Sequence, residues 1–159
     1  MQLHIKKLTV NKARHILAWK YDEPYDFYNN EETDEALDEM LDGSYYALLN
    51  EQNDVVGFFC IGESAQVPIG HQFGLYSDEF VDMGLGMHPN LVGKGHGKAF
   101  CTFIIQFIEE QYIGKPIRLT VAKFNKRAIH LYKKLGFVTV AEFTSNTTEF
   151  MMMIKKQTL

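Results

Sequence analysis

Residues 80–111 read FVDMGLGMHPNLVGKGHGKAFCTFIIQFIEEQ, and the rest of the chain is arranged around them. An apolar run carrying Gly84 and Gly86 stops at Pro89, where the missing N–H ends a strand ladder. Gly93, Gly95 and Gly97 follow closely, and then Phe100, Phe103, Ile104, Phe107 and Ile108 recur at helical spacing. The stretch is a strand, a glycine-rich turn and a helix. That order aims backbone N–H groups and a helix N-terminus at a phosphate.

Working outward, residues 2–9 form a strand, and Asn11 is placed to cap a short helix through Ala13, Ile16, Leu17 and Lys20. The segment WKYDEPYDFYNN follows, and a helix over about 31–42 starts with acidic residues, which its dipole favours. Ser44–Asn50 and Val55–Gly62 are apolar runs joined by EQND, a hairpin signal. Residues 63–79 have no clear period and read as a long loop. After the glycine turn and its helix come a strand over Ile117–Ala122, a helix from Asn125 to Leu135 stopped by Gly136, and strands over Phe137–Phe143 and Thr148–Lys155. The order is β-α-α-β-β-β-α-β-α-β-β, a mixed α/β chain read as one domain over 1–159.

A chain of 159 residues with 46% hydrophobic and 13% aromatic content fills a single core. No apolar run nears the ~20 residues that cross a bilayer, and the start MQLHIKKLTV lacks a signal-peptide core. A cytoplasmic protein is expected, with Cys60 and Cys101 as buried free thiols. Charge is uneven although the net is only −4. From Tyr21 to Gly93 there are 16 acidic and no Lys or Arg residues, whereas Lys94–Leu159 holds 11 basic and 4 acidic ones. One part of the surface suits a cation and another an anion. No nucleic-acid partner is expected, because no basic stripe is interleaved with aromatics and the net charge is negative. The six histidines show no metal-ligand spacing, so no metal is expected.

The glycine turn decides which phosphate. A Walker loop needs Ser or Thr after its Gly-Lys, but Gly97-Lys98 is followed by Ala99. A dinucleotide turn needs G-x-G-x-x-G, whereas Gly93, Gly95 and Gly97 run G-x-G-x-G. MHPNLVGKGHGKAF instead resembles the central motif of the GNAT superfamily of acetyl-CoA-dependent N-acetyltransferases. Its Gln/Arg-x-x-Gly-x-Gly/Ala pattern falls on Val92, Gly93, Lys94, Gly95, His96 and Gly97. NKRAIHLYKKLGF, from Asn125 to Phe137, resembles the same superfamily's Asn-x-x-Ala-x-x-x-Tyr-x-x-x-Gly-Phe signature. The two motifs span about 80–137 and stand in the family's order. Val92 departs from the usual Gln or Arg, leaving backbone amides, Lys94 and Lys98 to meet pyrophosphate.

The resemblance implies a mostly antiparallel mixed sheet of about six or seven strands with about four helices, parting between strands 4 and 5. It implies that Leu85, Met87 and His88 line the pantetheine arm of acetyl-CoA, with the Met87 N–H as oxyanion donor. Gly84 and Gly86 would allow a bulge or close ligand approach there. Tyr132 would protonate the leaving thiolate, and Asn125 would contact the coenzyme while capping its helix. Asp82 is the expected base, acting through water, with Glu63, His71, Asp78 and Glu79 as rivals. The acceptor amine would meet Trp19, Tyr21, Tyr25 and Tyr28 among carboxylates, a surface suited to a cation. The expected reaction is direct acetyl transfer in a ternary complex to a primary amine, of a small molecule in the first instance. A peptide amine and a non-catalytic acyl-CoA sensor are the alternatives, and a homodimer is left open.

Overall fold

The computed structural model describes residues 1–76 and 79–157. Its elements are β1 (His4–Lys7), α1 (Val10–Leu17), α2 (Asp34–Met40), β2 (Tyr45–Leu49), β3 (Val55–Ile61), β4 (Val81–Met87), α3 (Gly97–Gln111), β5 (Ile117–Ala122), α4 (Lys126–Lys134), β6 (Val138–Ser145) and β7 (Thr148–Lys155). The strand order is β1-β2-β3-β4-β5-β7-β6. The pairs β1·β2, β2·β3, β5·β7 and β6·β7 are antiparallel, and β4·β5 is parallel. This is the expected mixed α/β architecture, with its element order intact. By internal contacts the chain divides into two units, each made of two separate segments.

The first unit comprises Met1–Cys60 and Leu85–His96. Its β2–β3 hairpin closes where Asn50 Oδ1 accepts from the N–H groups of Gln52 and Asp54, with Asn53 at a left-handed φ of 65°. Helix α1 starts earlier than expected. Thr9, extended at φ −98° and ψ 166°, accepts from the Lys12 N–H and so caps it in place of Asn11. Thr33 likewise caps α2 through the Ala36 N–H. Ala13, Ile16, Leu17, Trp19 and Met40 form the buried cluster, with Tyr21, Leu37, Tyr45 and Phe58 packed on it.

The second unit comprises Ile61–Gly84 and Gly97–Leu159. Helix α3 buries Phe100, Cys101, Ile104, Ile105 and Ile108. Phe103 and Phe107, expected in the buried stripe, are half-buried instead, because the buried face is centred nearer Cys101 and Ile105. Strand β5 is buried at Ile117, Arg118, Leu119, Val121 and Ala122. It pairs with β7 along its full length, and with β4 at Val81↔Ile117 and Asp82↔Arg118, the first two positions of each parallel strand. The long loop expected over 63–79 contains 3-10 turns at Glu63–Ala65 and Pro68–Phe73. Among the described residues no helix is long and apolar enough to cross a membrane.

Candidate active site

Strand β4 ends in the first unit at Met87, whose carbonyl accepts a 2.7 Å hydrogen bond from the Tyr21 hydroxyl. Burial pushes that hydroxyl up to about 12, so it stays a donor at neutral pH. The Tyr21 N–H donates to Asn29 Oδ1 at 2.8 Å, which fixes both ends of the intervening turn. The four aromatics expected at the acceptor therefore divide. Trp19 is 6% exposed and belongs to the core, Tyr21 is half-buried against β4, Tyr25 is half-buried and Tyr28 is exposed. Gly86 is required by packing, since a Cβ there would lie 2.3 Å from Phe58 Cε1.

His88 donates its N–H to the Val56 carbonyl at 2.9 Å and accepts from the Asn90 N–H at Nδ1. In the neutral ring the proton is thus assigned to Nε2. Partial burial lowers the imidazole below its ordinary value, and the nearby His15 ring adds to that. Both histidines line a cavity of about 640 Å³ with Lys12, Asn50, Asp54 and Asn90. The chain then turns through Pro89–Leu91 to Val92, Gly93, Lys94, Gly95 and His96. Gly93 and Gly95 have φ of 76° and 85°, a conformation that explains glycine at both positions.

In the second unit, α3 begins at Gly97, with Lys98 exposed in its first turn. A Cβ on Gly97 would come within 2.9 Å of Leu131 Cδ2, so glycine here permits close approach of α3 and α4. Asn125 Oδ1 caps α4 through the Ala128 N–H at 3.2 Å. Tyr132, half-buried on α4, meets Phe137 edge-on at 5.9 Å, and its carbonyl accepts from the Phe137 N–H. The Gly-Phe end of the second motif therefore orients its tyrosine.

Asp82, the expected base, is 4% exposed and committed to partners. Its oxygens accept from Arg118 Nε at 2.6 Å, Arg118 Nη2 at 2.8 Å and Gln66 Nε2 at 2.8 Å. The rivals differ in their settings. His71 Nε2 is 2.7 Å from Gln66 Oε1, Glu63 and Glu79 are exposed, and Asp78 lies outside the described residues. Among the described residues no group of three or more His, Cys, Asp or Glu side chains is placed to hold a metal.

A model of the Acetyltransferase (GNAT) family matches residues 11–137. The chain belongs to that family. This acetyltransferase is 28% identical over 155 residues, 96% of its length, to the probable spermine N(1)-acetyltransferase of Bacillus subtilis subsp. natto, covering 98% of that protein. The spermine/spermidine N(1)-acetyltransferase of Bacillus subtilis strain 168 matches to the same extent, at 28% over 96% of this chain and 98% of that one. Among solved structures, a spermidine N-acetyltransferase chimera from Vibrio cholerae and hSSAT superposes with a TM-score of 0.73 at 18% identity, covering 98% of this chain and 96% of that one. Family and relatives make the chain an N-acetyltransferase.

Two features of the acetyltransferase escaped sequence reasoning. Arg118 read as part of an apolar strand, although a lone arginine in IRLTVA implies a buried partner, and Asp82 in FVDMG is the matching charge. Gln66 and Tyr76 carried no periodic signal, yet Gln66 bonds Asp82, and the Tyr76 hydroxyl accepts from the Val67 N–H and lies 2.8 Å from Thr120 Oγ1.

Proposed function

We propose that this acetyltransferase moves the acetyl group of acetyl-CoA directly to a primary amine of a small polycation, of the polyamine kind. The reading rests on one observation above others: the Tyr21 hydroxyl holds the Met87 carbonyl at 2.7 Å. That bond fastens the aromatic, carboxylate-rich 21–42 segment to the strand end assigned to the reacting thioester. A row of carboxylates including Asp22, Asp26, Glu31, Glu32 and Asp34, with no Lys or Arg from 21 to 93, favours a ligand carrying several positive charges. The relatives named for spermine and spermidine support the same class.

In this scheme the amides of 93–98 hold pyrophosphate together with Lys94 and Lys98, and Val92 contributes only its backbone. Leu85, Met87 and His88 run along the pantetheine arm, and the Met87 N–H faces the developing oxyanion. Tyr132 returns a proton to the thiolate, and Asn125 borders the coenzyme. The amine lies near Tyr21, Tyr25 and Tyr28, while Trp19 supports them from the core. Asp82 is reassigned from proton acceptor to a structural partner of Arg118, since its oxygens are already engaged. The two units act as one transferase domain over 1–159.

The test is thiol release from acetyl-CoA with spermidine, spermine, putrescine, a monoamine and a lysine peptide, with product masses read by spectrometry. Turnover is expected for the polyamines and at least tenfold less for the monoamine. Preference for the peptide refutes the acceptor class. Absence of both turnover and a calorimetric signal for acetyl-CoA refutes the whole reading.

A further inference from the structure

Asp82 and Arg118 are the buried charged side chains among the described residues, 4% and 2% exposed. They are also register partners, the second pair of the β4·β5 ladder. Beyond them β4 runs on to Met87 and β5 to Ala122. A buried ion pair is a poor source of stability, because the desolvation of two charges offsets most of their attraction and an apolar pair often does as well. What the pair supplies is direction. The planar guanidinium engages both carboxylate oxygens, sends Nη1 to the Leu75 carbonyl at 3.1 Å, and has its Cζ 5.0 Å from the centre of the Tyr76 ring and 4.8 Å from that of Phe80. The Asp82 carbonyl accepts from the Gly62 N–H, and its carboxylate from Gln66. Tyr76 in turn takes the Val67 N–H and meets Thr120 on β5. The 62–76 segment is thereby fastened at several points to this one cross-strand pair.

We propose that Asp82 and Arg118 are positioning residues for acetyl transfer. Together they set where β4 and β5 stop pairing and fix the path of 62–76, and with it the line of the β4 backbone leading to Met87. The kinetic part rests on the acetyl-CoA reading above; the conformational part does not.

The experiment compares wild type with Asp82→Asn, which keeps the size and loses the charge, with Arg118→Lys, and with the apolar pair D82L/R118M. Hydrogen exchange is followed at the Val67, Gly70 and Gly74 amides, and kcat and the acetyl-CoA KM are measured separately. In Asp82→Asn, exchange at those amides is expected to rise at least tenfold while α3 keeps its protection, with kcat/KM lower at least tenfold. Arg118→Lys, retaining charge without the fork, should fall between. Unchanged exchange in Asp82→Asn overturns the proposal, whatever the activity. Faster exchange with kcat and KM within twofold of wild type also overturns it, as does a folded apolar pair with wild-type kinetics. If wild type turns over no amine, the functional reading fails and the exchange measurement still decides this one.

Discussion

Replacing Gly86 by alanine would set a Cβ 2.3 Å from Phe58 Cε1, 2.7 Å from Cζ and 3.2 Å from Cδ1. Carbon atoms rest about 3.5–4.0 Å apart, so the ring must retreat by more than an ångström. It has little room to do so. Its centroid lies 6.1 Å from that of Trp19 on one side and 6.1 Å from that of Tyr45 on another, and it packs on the Ala13–Met40 cluster. Overpacking of this kind costs about 1–3 kcal/mol. For a chain of 159 residues, that lowers the unfolding midpoint by roughly 3–10 °C. Urea unfolding should show a lower midpoint concentration with an unchanged m-value. Shortening the ring supplies the control: in a Phe58→Leu background the same alanine should cost less than about 0.5 kcal/mol, giving a coupling of about 1–2 kcal/mol in the double-mutant cycle. Strictly additive effects would refute the reasoning, because the glycine would then be needed by the backbone and not by the ring. So would an alanine variant as stable as wild type.

Tyr132→Phe removes one hydroxyl and leaves the edge contact with Phe137 intact. A lost general acid costs about 10²–10⁴ in rate, so kcat should drop by at least about a hundredfold while calorimetry returns the wild-type acetyl-CoA affinity. Weaker binding at unchanged kcat would assign Tyr132 to packing instead. His88→Gln tests the lowered imidazole. The unfolded chain takes up its proton near 6.5 and the folded one at lower pH, so the contribution of the neutral ring is complete above 6.5 and is lost as pH falls below it. The Tm of wild type should therefore fall more steeply than that of the variant between pH 7.5 and 5.5. Parallel curves would remove His88 from the account.

Much of this was legible in the chain because the periods are clean. The apolar runs of β2, β3 and β5 and the apolar face of α3 gave the element order, and Gly93, Gly95 and Gly97 gave the turn between β4 and α3. What stayed hidden depended on long-range partners. Thr9 rather than Asn11 caps α1, because the choice turns on which residue is the last to stay extended before the helix. Trp19 lies in a segment as aromatic and acidic as an exposed recognition surface, but it follows Leu17 on α1's buried face and enters the core. Asp82 carried the chemistry of a base in sequence, and its pairing with Arg118, 36 residues on, is visible only in three dimensions. Residues 63–76 lack any period since 3-10 turns and side-chain bonds to other strands organise them.

The two cysteines have a practical consequence for measuring this reaction. Cys60 and Cys101 are both buried thiols outside any disulfide, and burial pushes the Cys101 thiol up to about 12. At assay pH Cys101 offers almost no thiolate to an aromatic disulfide reagent, and neither sulfur is open to one. The native protein should add almost no colour of its own to a free-thiol assay, so the signal counts released coenzyme. A slow extra rise would then report molecules that have opened, giving an unfolding clock within the same cuvette.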